Sequence, residues 1–110
     1  MFIKGDLNKQ VMRMINVGFY YKIKKGHEKE FEEKFLEIVK ILKTTNSGLI
    51  EAKLYRSVED PTEYLMYTEW KDLDSFRNFI LSEGYKNTVS YGKTILDGKP
   101  THRVLQELNT

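Results

Sequence analysis

The sequence predicts a single α+β domain in which two helices cover one face of an antiparallel sheet. Three observations carry this. Residues 14–23 alternate apolar and polar, residues 27–44 repeat their apolar positions at spacings of three and four, and a strand runs directly into a capped helix at Glu69-Trp70-Lys71-Asp72.

Taken in order, Met1–Arg13 is polar and aperiodic and reads as an N-terminal arm or a short extra strand, with Met12 or Met14 an alternative natural start. The domain proper is residues 14–110. In its first strand Ile15, Val17, Phe19, Tyr21 and Ile23 share one face. Lys24-Lys25-Gly26 turns the chain into a helix from His27 to Thr44. Phe31, Phe35, Ile38, Val39 and Leu42 form its apolar stripe, with acids early and lysines late to suit the helix dipole. Asn46-Ser47-Gly48 stops the helix.

A second strand covers Leu49–Arg56, with Ile50, Ala52 and Leu54 on one face and Glu51, Lys53 and Tyr55 on the other. Glu59-Asp60-Pro61-Thr62 is a turn, and Tyr64–Trp70 is the third strand. Asp72 caps a second helix to about Ser82 that buries Leu73, Phe76, Phe79 and Ile80. Glu83-Gly84 breaks it, a short helical stretch follows over Tyr85–Tyr91, and a last strand runs from His102 to Leu108. The order β-α-β-β-α-β is the ferredoxin-like arrangement. Strand three is apolar on both sides, Met66 and Trp70 against Leu65 and Tyr67. Two helices cover only one face, so the other is expected to meet a second sheet, most simply that of a homodimer.

A chain of 110 residues suits one domain, and its seven Tyr, six Phe and one Trp supply ample core material. The 18 basic and 16 acidic side chains are interspersed, a pattern that points away from nucleic acid. With no cysteine there is no disulfide, thiolate metal site or cysteine nucleophile. No apolar run reaches the roughly 18 residues of a membrane span, and the N-terminus lacks the apolar core of a signal peptide, so a cytoplasmic protein is expected.

The segment Glu63-Tyr64-Leu65-Met66-Tyr67-Thr68-Glu69-Trp70-Lys71-Asp72, followed by Phe76 and Ser82, resembles the central block of antibiotic biosynthesis monooxygenase (ABM) domains. Asn46-Ser47-Gly48-Leu49 resembles their helix-to-strand turn, Gly26 with Phe31 their first helix entry, and Gly98-Lys99-Pro100-Thr101-His102 the approach to their last strand. The resemblance spans about residues 14 to 108 and implies a dimeric α+β barrel. It also implies oxygen-using chemistry on polycyclic aromatic quinols or on haem, often without a metal or flavin. Where haem-degrading members carry Asn, Trp and His, counting from Gly26 and Trp70 lands on Phe19, Phe79 and Val89. With no imidazole to ligate iron there, haem degradation is not expected.

The expected ligand site is an apolar pocket between sheet and second helix lined by Phe19, Tyr21, Phe76, Phe79 and Val89, with Trp70 either a pocket wall or a core anchor. Tyr67 is the candidate for assisting catalysis by donating to a phenolate, and Tyr91 is a second hydroxyl to consider. His27 reads as a solvated first-turn residue, and His102 as half exposed or at a pocket mouth; on unrelated elements they suggest no metal site, and no cofactor is expected. Asn16 has the parity of the dimer face. Glu51 and Glu69 pair only if their strands align them; lysine partners such as Lys53 or Lys71 are the alternative. Three readings remain open: a cofactor-independent monooxygenase acting on an aromatic or quinol-type molecule, a non-catalytic small-molecule-binding or stress-related dimer on the same scaffold, and a pure dimer whose apolar pocket is filled by its own Phe side chains.

Overall fold

The structure, a computed structural model, describes residues 14–108. The expected arm at residues 1–13 lies outside them. The elements are β1 (Ile15–Lys22), α1 (Glu28–Thr44), β2 (Leu49–Arg56), β3 (Glu63–Trp70), α2 (Leu73–Ile80), α3 (Glu83–Gly92) and β4 (Thr101–Leu105). The strands form one antiparallel sheet in the order β2-β3-β1-β4, the ferredoxin-like topology. No helix among the described residues is long and apolar enough to cross a membrane.

Strand parity decides the core. On β1, Ile15, Val17 and Phe19 face the helices, and on β3 Tyr64, Thr68 and Trp70 do; all six are buried. Trp70 is 0% exposed and sits edge-on to Phe76, with ring centroids 5.7 Å apart. Its indole Nε1 donates to Thr68 Oγ1 at 2.9 Å, and that hydroxyl donates to the Val17 carbonyl at 2.9 Å. The indole N–H is thus satisfied inside an apolar cluster of Ile15, Val17, Phe19, Trp70 and Phe76.

The junction that follows is capped as its sequence suggests: the Asp72 carboxylate accepts from Ser75 N at 2.7 Å. Gly48 is required where β2 begins. Its φ is +88°, and a Cβ there would lie 2.3 Å from Ser75 Oγ, so the strand start and the first turn of α2 touch backbone to side chain.

Three local expectations are corrected. The pairing of β2 with β3 slips between Leu49 and Glu51, a bulge that turns Leu49 toward the core and leaves Ile50 48% exposed instead of on the face of Ala52 and Leu54. Glu83-Gly84 does not break a helix; it opens α3, because Ser82 Oγ accepts from Tyr85 N at 3.1 Å and caps a new one. The last strand runs over Thr101–Leu105 and not on to Leu108, so Gln106, Glu107 and Leu108 lie outside it.

An apolar pair that periodicity did not single out, Ile95-Leu96, closes the structure: Ile95 is buried, and Lys24 N donates to its carbonyl at 2.8 Å. The near-isosteric Thr68→Val substitution strands the buried Trp70 N–H, and we expect it to cost about 1–3 kcal/mol in urea unfolding, with no change in the unfolding slope.

Candidate ligand site

The helix-covered layer is filled at one end and hollow at the other. Trp70 and Phe76 occupy the filled end with Phe19 at 6.0 Å from Phe76. Beyond them a cavity of about 270 Å³ opens between the sheet, α1 and α3. Its walls include Tyr21 and Met66 from the sheet, Phe31, Phe35 and Ile38 from α1, Phe79 from α2, and Tyr85 and Val89 from α3. These walls follow from the apolar stripe of α1 and from the parity of Tyr21 and Met66 on their strands.

Of the expected lining residues, Tyr21, Phe79 and Val89 meet the cavity. Phe19, Trp70 and Phe76 do not line it; their rings fill the adjoining core, where large side chains pack to crystal-like density. Sequence reasoning missed the contribution of α1, although its stripe of Phe31, Phe35 and Ile38 was visible.

Tyr67 is on the opposite side of the sheet. It alternates with Met66 and Thr68, and its hydroxyl accepts from Asn16 Nδ2 at 2.6 Å and donates to Glu69 Oε2 at 2.9 Å. A role for Tyr67 within this cavity is therefore corrected: the sheet itself lies between them. Burial, then the hydrogen bond to Glu69, raises its pKa. Asn16 is satisfied by Tyr67, as its parity suggests. The backbone register does place Glu51 opposite Glu69, but each carboxylate has another partner: Glu51 Oε1 lies 3.8 Å from Lys43 Nζ, and Glu69 Oε2 accepts from Tyr67.

Tyr21 is stacked on Phe19 at 6.3 Å and tilted against Phe31 at 5.3 Å. Burial, reinforced by the neighbouring Tyr85 phenol, pushes its pKa well above the ordinary tyrosine value. Burial raises Tyr85 as well. At the mouth, Tyr91 donates to Glu30 Oε2, Glu30 Oε1 meets His27 Nδ1 at 2.9 Å, and Lys34 Nζ sits 5.0 Å above the Tyr91 ring. The hydrogen bond to Glu30 raises Tyr91 to about 12, and the same bond, with that of His27, lowers Glu30. This cluster ties the N-terminal part of α1 to the end of α3 across the opening. His102 lies beside Phe19 and Phe76, at 5.8 and 6.1 Å, outside the cavity lining. No cluster of three or more His, Asp or Glu side chains suited to a metal occurs among the described residues.

The family model described as antibiotic biosynthesis monooxygenase matches residues 14–91. The chain belongs to this family. Among curated relatives, a "Putative heme-binding protein" of Natronomonas pharaonis is 27% identical over 86 residues, which cover 78% of this chain but only 14% of that protein. Among solved structures, a conserved protein from Methanosarcina mazei is 23% identical with a TM-score of 0.79, covering 92% of this chain and 99% of the other. The cofactor-independent oxygenase SnoaB from Streptomyces nogalater is 17% identical with a TM-score of 0.77, covering 89% and 96%. At such identities the two structures share the fold with this ABM domain, and function must be argued from the site.

The mouth of the ABM domain carries a pH signature. A carboxylate held below its unfolded pKa contributes stability that is present above the unfolded value and lost as pH falls through the folded one. Tyr91→Phe is therefore expected to lower Tm near neutrality, with the gap to the wild type closing as Glu30 protonates in the acid range. Thermal melts across pH check this; a gap independent of pH would assign the loss to ring packing.

Proposed function

We propose that this ABM domain binds a small planar aromatic molecule of the quinol or anthrone type in the cavity and promotes its oxidation by O2 without a metal or flavin. The observation that carries this reading is the largely apolar cavity of about 270 Å³ walled by aromatic rings, a little below the roughly 300 Å³ at which the size range of small-molecule sites begins and so suited to a compact ligand. In the reaction a CH2 group of an anthrone, or its enol form, loses a proton and gives electrons to O2. A carbon–oxygen bond forms, the O–O bond breaks, one oxygen remains as the new carbonyl and the other leaves as water. The protein orients the ring, excludes bulk water and donates hydrogen bonds to the oxygen that gains charge.

The lining holds no carboxylate and no imidazole, and its buried tyrosines keep their protons at neutral pH. With neither of these bases in the lining, the proposed deprotonation rests on the acidity of the bound molecule, with a single bound water as the acceptor. The absence of a carboxylate or imidazole favours a second reading, binding without turnover.

Haem does not fit the donor set. The Natronomonas pharaonis relative is named a putative heme-binding protein, but this chain covers 14% of it, and the cavity offers neither imidazole nor thiolate, while burial keeps the Tyr21 phenol protonated and unsuited to iron. The positions counted from the haem-degrading members, Phe79 and Val89, present only carbon to the cavity.

We further infer a homodimer through the open sheet face. Leu65 and the Tyr20 ring pack around Gly18 there, and Tyr20 and Leu105 are exposed without a covering layer among the described residues. Sedimentation at micromolar concentration is expected to give a dimer, and Leu65→Lys a monomer that keeps its helical signal; a wild-type monomer would remove the inference.

Oxygen uptake with an anthrone and a panel of quinols tests the main reading. We expect acceleration over the spontaneous rate, lost about tenfold or more in Val89→Trp, whose indole fills the cavity from an exposed helix position. Tyr67→Phe should leave turnover unchanged. Binding without acceleration establishes the second reading, and neither binding nor acceleration overturns both.

A further inference from the structure

The seven tyrosines of the chain are used unequally. Tyr64, Tyr67 and Tyr91 donate hydrogen bonds to Glu32, Glu69 and Glu30. Tyr20 and Tyr55 are exposed to solvent. Tyr21 and Tyr85 remain. Both line the cavity, and neither hydroxyl has a hydrogen-bond partner among the described residues.

Tyr21 is the more informative. Its ring is enclosed by Phe19 and Phe31, yet among the described residues no fully buried side-chain oxygen or nitrogen is left unpaired. The Tyr21 oxygen must therefore reach open space, and the space its side chain lines is the cavity. Tyr85 approaches from α3, its ring edge-on to Phe79 at 4.9 Å and its phenol close enough to perturb that of Tyr21. The two side chains line the same cavity, and their hydroxyls do not bond each other. An unmet hydroxyl in apolar surroundings carries a desolvation cost that an acceptor would relieve.

We propose that Tyr21, with Tyr85 beside it, forms a donor site for one oxygen atom of the ligand, so that the cavity selects aromatic molecules bearing a quinone carbonyl or phenolic oxygen over unsubstituted rings. This rests on the cavity being a ligand site and names the polar feature its ligand must bring. A site that spends a hydroxyl on a ligand oxygen rejects the analogue without it, because that hydroxyl is then left unpaired. Tyr21 is also the group placed to hold the oxygen of a quinol or anthrone as charge develops on it. Its phenol is not a base in this role; it donates throughout.

The test compares 1,4-naphthoquinone with naphthalene by calorimetric titration of the whole protein. Tyr21→Phe keeps the ring and its stacking, so the variant is expected to fold. It should bind naphthoquinone about three- to tenfold more weakly than the wild type, with naphthalene affinity unchanged. The infrared carbonyl stretch of bound naphthoquinone should be lowered in the wild type and return toward its value in apolar solvent in Tyr21→Phe. Tyr20→Phe, on the open face, should change neither. Equal weakening of both probes, or no change in either, overturns the assignment of Tyr21 while leaving the cavity reading intact. Failure of both probes to bind the wild-type protein overturns the cavity reading and this inference together.

Discussion

The chain from the Trp70 indole through the Thr68 hydroxyl to the Val17 carbonyl is the constraint on which the rest of the molecule depends. A fully buried tryptophan supplies a large apolar area but brings an N–H that must be paired. Pairing it through a threonine on the same strand, and then to the neighbouring strand, fixes the β3 side chains relative to β1. That fixes Phe76 against Trp70, and with it the angle at which α2 leaves the sheet. Once this end of the layer is filled, the remaining space is displaced toward Tyr21 and Ile95. The cavity survives there because α3 buries none of its residues and stands off from the sheet.

The sheet is a divider as much as a platform. Its helix side carries rings and the tyrosine hydroxyls without a protein partner among the described residues, while its open side carries Asn16, Tyr67 and Glu69 in a chain of two hydrogen bonds. A side chain that is one residue away in sequence is then on the wrong side for shared chemistry. Met66 lines the cavity and Tyr67 cannot, although both belong to the block that resembles ABM domains. The Asn16–Tyr67–Glu69 set instead pre-orders a polar patch on a surface otherwise built from Leu65, Tyr20 and Leu105. This mixture suits the specificity of one sheet for another.

Much of the fold was legible in the chain. The parity of Ile15, Val17 and Phe19, the stripe of α1 and the Asp72 cap follow from periods and turn chemistry that act within a few residues. The bulge after Leu49 was not legible, because it is set by how β2 must pair with β3 while Gly48 clears Ser75. Nor was the early end of β4, where Val104 and Leu105 read as strand but Gln106 finds no partner strand residue. The site was read in part. Aromatic residues could be placed on the correct face, but whether a ring fills the core or walls a cavity depends on depth along the sheet, which separates Phe19 from Tyr21. The placing of Tyr67 was a different kind of error: parity had already set it apart from Met66 and Trp70.

Membership of the family fixes the scaffold, and the polar atoms that reach the cavity fix what chemistry the scaffold can support. A histidine there would offer a base or an iron ligand; this chain presents tyrosine hydroxyls instead, beside Lys34, Lys93 and Lys99, and burial holds Tyr21 and Tyr85 protonated. Protonated phenols stabilise negative charge on oxygen without removing a proton. On the proposed reading, the protein thus lowers the barrier by making an ionised quinol or enol less costly in an apolar space, and the acidity of the bound molecule decides whether electrons reach O2. Catalyst and simple binder then differ only in the ligand they hold. On that reading the same cavity would promote the oxidation by O2 of an acidic aromatic and merely retain one that cannot ionise.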